Sequence, residues 1–466
     1  MKIKGKTVIE LTDVNTGEVE IHEDANMVTN ALPDFFSHNI EAMLFNMAGA
    51  PGDMNGVMIP ICPNAIGGIL LFADPIAEDA NAYYAPSANP CTGYASNDVN
   101  ATANIMRGSM NLTESVKLDD GYKFVWDFAT SQANGTISCV ALTHKMGGVG
   151  YMGDIYNNES KRWHMKDLNV ANNAVIRTAF SNAVEVDFEG NSFITIGMNT
   201  KNEIIVQKIR VCYRSVGLND TLLANEAVVL DEHILIPTSF IMANPGNNNG
   251  NYDFIDGQDG YWYGFWHDAN SSGNAVIKWI KIKKSDCSFS EGTWTLDNVQ
   301  LQQAGYRAGY NTNPSRNSQS ALLNGFLYMV SYDKQSVYKI NINNIADVTQ
   351  IKLGFTTNYS TAGAYNNYGQ IYLAKIGDWI VGSDFRISSD DKVYKCANTM
   401  PFSYTCTPLF QYGPFLLGYG AYYNGNSRKE LFLLTPYLAT INNLDTSVIK
   451  TADKTMKITY TITETE

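Results

Sequence analysis

The sequence is poor in charge. Only 17% of its 466 residues are Asp, Glu, Lys or Arg, whereas an average soluble domain has about 25%. The 33 basic residues are outnumbered by 46 acidic residues, which gives a net charge of −13. Because nucleic-acid binding requires a basic surface, this balance argues against a nucleic-acid partner. With 45% hydrophobic residues, the chain is also too apolar for an intrinsically disordered protein.

Long apolar runs are missing as well. The most apolar stretch, residues 57–77, is broken by Pro60, Pro63 and a pair of glycines, whereas a membrane-spanning helix needs about 20 apolar residues in a row. The first residues, MKIKGKTVIELTD, alternate polar and apolar types and lack the apolar core of a secretory signal. We therefore expect that the chain is made in the cytoplasm and does not insert into a membrane.

Catalytic and metal-binding motifs are absent from the sequence too. The seven cysteines are scattered without a C-x-x-C pair, and the six histidines have no metal-ligand spacing. There is no nucleophile elbow, and the glycine-rich segment 147–163 lacks the ending of a phosphate-binding loop. We predict no catalytic residue, no metal and no cofactor. The cysteines should be reduced and buried, with a Cys396–Cys406 disulfide as the alternative.

The residues that are present favour strands and turns. The chain has 37 Gly and 27 Tyr, and its polar residues are mostly Asn, Ser and Thr. Alternating runs around Asn15–Gly17 predict a hairpin over 6–24, and the runs around Ala133–Gly135 predict a second hairpin over 121–145 with an Asn-Gly type I′ turn. One amphipathic helix is predicted in 27–47, and a final strand with an apolar face in 448–466.

A repeated unit begins near residue 180. Each copy is an aromatic-rich strand, a polar turn and a second alternating strand; the copies lie at 190–211, 259–284, 324–344, 377–399 and 417–438. Such units predict a β-propeller of about five or six blades, with a β-sandwich as the alternative. The predicted architecture is mainly β, with an N-terminal β-rich module at 1–180, a β-propeller-like domain at 181–445 and a closing strand at 446–466.

The segment 251–268 is the candidate binding site. Its acidic residues Asp253, Asp256 and Asp259 recur at every third position, and such a loop either binds a cation or is simply solvated. Next come Tyr261, Trp262, Tyr263, Phe265, Trp266 and His267. In a strand, Trp262 and Trp266 face one way and the tyrosines the other. Either these rings are core, or Trp262, Tyr263 and Trp266 stack on a sugar while Asp256 and Asp259 bind its hydroxyls.

Several segments resemble one family of virion proteins. The opening KTVIELTDVNTGEVEIHEDANMVTNALPDFF is similar to the start of tail-associated proteins from phages and prophages of Firmicutes. The segments 67–79, 107–115 and 123–143 look like the same family, and TADKTMKITYTITE at 451–464 resembles the last strand of such proteins. The resemblance covers about the first 145 residues and the last 20, and it leaves the central repeats without a counterpart.

This resemblance implies a non-enzymatic component of a phage tail. Such tail-fibre or baseplate proteins form homo-oligomers, often trimers, whose N-terminal part docks to other tail proteins. The far part would be a receptor-binding protein for a glycan or protein of the bacterial surface, and host adhesion would be multivalent. The implied location is the virion, which is released by lysis. Two alternatives stay open: a purely structural tail or collar subunit, and a tail-borne glycan depolymerase.

Overall fold

The computed structural model of the chain is built from strands. It describes residues 2–31, 66–89, 91–96, 104–143, 162–164, 183–187, 192–199, 201–213, 225–241, 252–302, 320–357, 373–382, 384–395, 409–412, 415–421, 427–432 and 437–465. The thirty regular elements in these ranges are all β-strands, which confirms the mainly β prediction. Most of the predicted helix, from residue 32 onward, lies outside the described residues.

Ten strands form a nearly closed barrel. They are β1 (Lys2–Asp13), β2 (Val19–Val28), β3 (Gly68–Phe72), β4 (Cys91–Ala95), β5 (Ser109–Met110), β6 (Val116–Lys117), β7 (Gly121–Phe128), β8 (Gly135–Thr143), β29 (Thr440–Lys450) and β30 (Lys454–Thr465). Their order is β4-β3-β8-β29-β2-β1-β30-β7-β5, and β6 pairs with β7. The sheet almost closes where Tyr94 of β4 exchanges backbone hydrogen bonds with Met106 and Gly108, just before β5.

Alternating apolar residues fill the barrel. On β30, Met456, Ile458 and Tyr460 are at most 2% exposed, and they pack with Ile9 and Leu11 of the paired strand β1. This confirms the apolar face predicted for the last strand. The predicted hairpin around Asn15–Gly17 is confirmed as well, since β1 and β2 pair from Gly5 with Asn26 to Thr12 with Val19.

The second predicted hairpin is wrong. Both strands form, as β7 and β8, but they do not pair with each other: β7 pairs with β30 and β8 with β29. Positive φ angles occur at Ala133 (49°) and Gly135 (140°) and not at Asn134, so no type I′ turn forms there. The C-terminal strands β30 and β29 pair with the edges of β7 and β8 along which these two strands would otherwise have paired with each other. A local turn signal carries no information about such distant partners.

The barrel is interrupted by five four-stranded antiparallel sheets. The first sheet contains β10 (Ala183–Asp187), β11 (Ser192–Met198), β12 (Ile204–Tyr213) and β13 (Asn225–Leu235), and the second contains β14 (Tyr252–Asp256), β15 (Tyr261–His267), β16 (Ala275–Lys283) and β17 (Phe289–Leu296). The third sheet contains β18 (Ser320–Leu323), β19 (Phe326–Val330), β20 (Ser336–Asn341) and β21 (Val348–Lys352), and the fourth contains β22 (Ala374–Ile376), β23 (Trp379–Val381), β24 (Phe385–Ile387) and β25 (Val393–Lys395). The fifth sheet contains β26 (Leu409–Tyr412), β27 (Phe415–Ala421), β28 (Ser427–Phe432) and β9 (Arg162–His164).

The first four sheets form a β-propeller-like arrangement. Each is a meander of consecutive strands, and the first strands β10, β14, β18 and β22 contact one another in that order. Separate buried clusters join the first sheet to the second, the second to the third and the third to the fourth. In four of the five repeated units, the two predicted central strands are the second and third strands of one sheet. The unit 377–399 instead spans three strands, β23, β24 and β25. The fifth sheet takes its last strand, β9, from the chain ahead of the first sheet.

The barrel packs against the fourth sheet. We call this contact region the junction; it contains Trp379 with the apolar residues around it, and the polar residues Ser87, Asp378 and Ser389. Trp379 is 2% exposed and packs, with Ile376 and Val381, against apolar residues on the outside of the barrel. The Asp378 carboxylate, in the β22–β23 turn, accepts hydrogen bonds from the backbone and hydroxyl of Ser87 at 3.0 Å. The Ser87 hydroxyl accepts a bond from the backbone of Ser389 at 2.6 Å. Apolar packing and a polar chain therefore both hold the barrel to this sheet.

A glutamate orders the connection between the first two sheets. Glu291, on β17, accepts hydrogen bonds from the backbone nitrogens of Thr238, Ser239 and Phe240 at 2.7–2.8 Å, and from the Thr238 hydroxyl at 2.8 Å. Burial alone would raise the pKa of Glu291, but these bonds favour the charged form and hold its pKa below the usual 4.5.

We expect Glu291→Gln to lower the free energy of unfolding by about 2 kcal/mol at pH 7, since charge-assisted hydrogen bonds are lost. A depressed pKa in the folded protein adds stability above pH 4.5, and that stability is lost as the pH falls further. Urea denaturation at pH 7 and at pH 3.5 measures both effects. On acidification, Glu291→Gln should lose less free energy of unfolding than the native chain does. Glu18→Gln is the matched control, because Glu18 is exposed. Equal acid sensitivity of the native chain and Glu291→Gln would contradict this role.

Candidate functional site

The predicted aromatic segment forms β15, the second strand of the second sheet. Sheets pack against both of its faces, so both sets of rings lie in interfaces. Trp262 faces the first sheet and is 4% exposed, whereas Tyr263 faces the third sheet and is 5% exposed. The predicted division of the rings between two faces is correct. In this structure, however, neither Trp262 nor Tyr263 offers a free ring face for stacking on a sugar.

Polar contacts hold both of these rings in place. The Trp262 indole donates a hydrogen bond to Glu185 Oε2 on β10 at 3.2 Å. The Tyr263 hydroxyl donates to Asp259 Oδ2 at 2.7 Å, and its ring stacks on Phe265 with 6.2 Å between centroids. Burial first, and then the bond to the Asp259 carboxylate, raises the pKa of Tyr263 well above its usual value. Asp259 therefore orders the β14–β15 turn.

The other two predicted site residues are more accessible. Trp266 is half-buried, and the Lys278 ammonium lies 5.0 Å from its ring centroid. The Asp256 side chain is 25% exposed, and its Oδ1 lies 2.8 Å from Lys284 Nζ. The three aspartates of 251–260 have different partners. Asp256 pairs with Lys284 and Asp259 accepts from Tyr263, whereas Asp253 is buried and accepts hydrogen bonds from Ser320 on the third sheet. Within the described residues, no group of three or more His, Cys, Asp or Glu could hold a metal.

Asp256 forms a charged cluster with Lys284 and Glu185. Lys284 Nζ lies 2.7 Å from Glu185 Oε2 and 2.8 Å from Asp256 Oδ1, so one ammonium joins carboxylates from two sheets. Burial alone would lower the pKa of Lys284, but its hydrogen bonds to Asp256 and Glu185 outweigh that effect and raise the pKa. The two carboxylates are therefore occupied by an internal cation.

A second lysine reaches this cluster from the fourth sheet. The Lys375 ammonium, on β22, donates to the Gln258 side chain in the β14–β15 turn. Burial lowers the pKa of Lys375, although Asp256 opposes that shift. The contact joins the second and fourth sheets across the third. Sequence reasoning missed Glu185, Lys284 and Lys375, because they belong to no common motif. Only the packing of three sheets brings them together.

The cluster lies on the face of the propeller-like region that carries the barrel. In a meander, the turns after the first and third strands share one face. Gln258 and Lys284 lie in such turns, and so do Asp378 and Ser389 of the junction. The opposite face carries the turns after the second strands and the connections between sheets. The charged cluster contains ion pairs and hydrogen bonds but no activated nucleophile, so its chemistry is that of binding and positioning.

The three cysteines whose side chains the structure describes match the prediction. Cys91, Cys139 and Cys287 are free and buried. Burial raises the pKa of both Cys91 and Cys139 to about 12, which keeps these thiols protonated and unreactive. Cys396 and Cys406 lie outside the described residues, so their reduced state stays a prediction and a disulfide between them stays the alternative.

No protein-family model matches the chain, and no curated protein matches it. In the described part of the chain, no helix has the length and apolar character needed to cross a membrane.

Proposed function

We propose that the chain is a non-enzymatic phage tail protein, of tail-fibre or baseplate type, that binds the surface of a bacterial host. The observation that supports this most directly joins sequence to structure. The two terminal segments that resemble tail proteins are far apart in the chain, yet β1–β8 and β29–β30 belong to one barrel. The resemblance therefore corresponds to one structural unit, which suits an attachment module to other tail proteins.

The propeller-like region would be the part that meets the host. The barrel contacts this region on the face of the first-strand turns, next to Asp378 and Ser389. The opposite face carries the turn with Tyr332, whose side chain is 40% exposed. Exposed tyrosine is a common contact residue in binding surfaces, because its ring gives a large contact area at a small entropy cost. We therefore place host binding on this opposite face.

The composition of the connections between sheets supports this assignment. The strand ends that they join lie on the opposite face. Ten of the fifteen residues in 358–372 are Tyr, Ser, Gly or Asn, and neither 358–372 nor 303–319 contains an acidic residue. Tyr, Ser, Gly and Asn also dominate antibody binding loops. In a chain with a net charge of −13, segments without carboxylates suit contact with a neutral or anionic surface polymer.

Self-association is also part of the proposal. The outer strand of the first sheet, β13, is exposed at six consecutive residues, 229–234. These include Val229, Leu230 and Ile234, and Ile236 beyond them is 70% exposed. An open, aliphatic edge strand is a site where a second copy pairs. A homo-oligomer would present several host-binding faces at once and so strengthen weak individual contacts.

Binding of the purified, labelled protein to intact bacteria tests the proposed function, before and after enzymatic removal of surface glycans. Tyr332→Ala should weaken binding about tenfold, as expected for a contact residue worth more than 1 kcal/mol. Phe289→Ala is the matched control, because Phe289 is 37% exposed but begins β17 on the barrel side. Its binding should equal that of the native chain.

The remaining outcomes separate the alternatives. Binding that disappears on glycan removal supports a glycan receptor, and binding that persists supports a protein receptor. A folded oligomer that neither binds cells nor blocks phage adsorption would favour a purely structural tail subunit. Release of reducing sugars from the envelope would favour a depolymerase instead.

A further inference from the structure

The barrel buries a lysine between neutral partners. Lys450, at the end of β29, is 1% exposed. Its Nζ donates hydrogen bonds to Asn134 Oδ1 at 2.8 Å and to the Thr130 carbonyl at 3.2 Å, both in the connection from β7 to β8. Within the described residues, no carboxylate forms an ion pair with Lys450. A buried lysine without an ion pair costs stability, so its position calls for another explanation.

Burial makes this amine more reactive. Removal of the ammonium from water lowers the pKa of Lys450 to about 8, although Asp453 opposes the shift. A large fraction of the side chain is then the neutral amine under mildly alkaline conditions. A neutral amine is a nucleophile, and Lys450 Nζ lies next to the side-chain amide of Asn134.

That amide belongs to an asparagine with unusual reactivity. Asn134 is followed by Gly135, which has no side chain to hinder attack of its backbone nitrogen on the neighbouring amide carbon. Such attack closes a five-membered imide and releases ammonia. The imide carbonyl is a much better electrophile than the original amide. In the folded barrel, Gly135 lies directly opposite Lys450 in the β8–β29 ladder, so this electrophile would form beside the amine.

We propose that Lys450 and Asn134 become joined by an isopeptide bond within the barrel. In the first step, the Gly135 nitrogen bonds to Asn134 Cγ, the Cγ–Nδ2 bond breaks and ammonia leaves with the proton of that nitrogen. In the second step, Lys450 Nζ bonds to Cγ and the bond from Cγ to the Gly135 nitrogen breaks. That nitrogen recovers a proton from the lysine. The net change is loss of one ammonia, and no oxidant or cofactor takes part.

The contact supplies the proximity that this reaction needs. An amine hydrogen-bonded to Oδ1 is already next to Cγ, and burial of Lys450 holds it there. Such positioning replaces an encounter in solution and raises the effective concentration of the amine by orders of magnitude. The product would tie β29 to the connection that precedes β8. It would also join residues 134 and 450, between which the chain forms all five four-stranded sheets.

Mass spectrometry of the full-length protein tests the proposal. The chain is incubated at about pH 9, one unit above the pKa of Lys450, and its intact mass and proteolytic peptides are then measured. We expect an intact mass lower by one ammonia and a peptide in which Lys450 is linked to Asn134. Lys450→Arg, which keeps the charge without a reactive amine, and Asn134→Ala should both lack the linked peptide.

The Asn324–Gly325 turn is the matched internal control. It has the same dipeptide, with positive φ at both residues, but none of the described hydrogen bonds brings a lysine amine to Asn324. Asn324 should therefore form no cross-link under the same conditions. Aspartate or isoaspartate at position 134 together with an unmodified Lys450 would overturn the proposal, and so would an unchanged native mass. The native peptides decide the question even if a variant fails to fold.

Discussion

Trp379→Ala is expected to lower the free energy of unfolding by about 3–5 kcal/mol, the range for removal of a large buried aromatic ring. Trp379 is 2% exposed and lies where β23 meets the outside of the barrel. The Arg386 guanidinium lies 5.0 Å from its ring and 4.8 Å from that of Tyr394. The substitution would therefore leave a cavity at the junction and also remove one of the two rings that flank a buried arginine.

Chemical denaturation followed by circular dichroism measures this loss. Trp294→Ala is the control, because Trp294 is half-buried on the outer strand β17 and stacks on Trp279 with 5.7 Å between centroids. Its loss should be about 1–2 kcal/mol, since less surface is buried. Limited proteolysis should also cleave Trp379→Ala faster near the junction. Similar losses for the two variants would argue that Trp379 has no special part in holding the barrel to the fourth sheet.

Asp378→Ala is expected to cost about 2–3 kcal/mol, because a partly buried carboxylate that accepts several hydrogen bonds is lost. The backbone nitrogen and hydroxyl of Ser87 would lose their acceptor on the fourth sheet. The bond from the Ser389 backbone to the Ser87 hydroxyl would also lose its support. We therefore expect the barrel to separate from this sheet more readily, with faster proteolysis between residues 84 and 89.

Asp390→Ala is the matched control in the same sheet. Asp390 pairs with Lys392, whose side chain is 65% exposed, at 2.7 Å, and such surface pairs are worth at most about 1 kcal/mol. Denaturation and proteolysis of the two variants should therefore differ clearly. If Asp378→Ala is as stable as Asp390→Ala, the polar chain through Ser87 contributes nothing measurable to the junction.

Alternation of apolar residues was the most informative signal in the sequence. It located β30 and its buried face, and it located the second and third strands of four of the five sheets. These features depend on which side of a strand is buried, and that is encoded within a few residues. The first and fourth strands of the sheets are less regular, and the repeats around them gave no comparable signal.

Features that depend on distant parts of the chain were not predictable in the same way. The Asn134–Gly135 signal indicated a hairpin, but β29 and β30 pair with the two strands instead. The rings of 261–267 indicated strand faces, yet no local pattern tells whether a face meets water or another sheet. Trp262 and Tyr263 are buried because β15 has sheets on both sides. The Glu185–Lys284–Asp256 cluster combines two sheets, so its members share no spacing in sequence.

The barrel also has a kinetic consequence. Its strand β1 pairs with β30, and ribosomes synthesise about 5–20 residues per second, so β1 waits about 20–90 s for this neighbour. During that time both outer edges of the β1–β2 hairpin stay open, because β2 waits for β29 as β1 waits for β30. Each of the first four sheets, by contrast, needs only consecutive strands. We therefore expect these sheets to fold during synthesis and the barrel to close last. Its slow, long-range closure is the step at which a nascent chain is most exposed to aggregation.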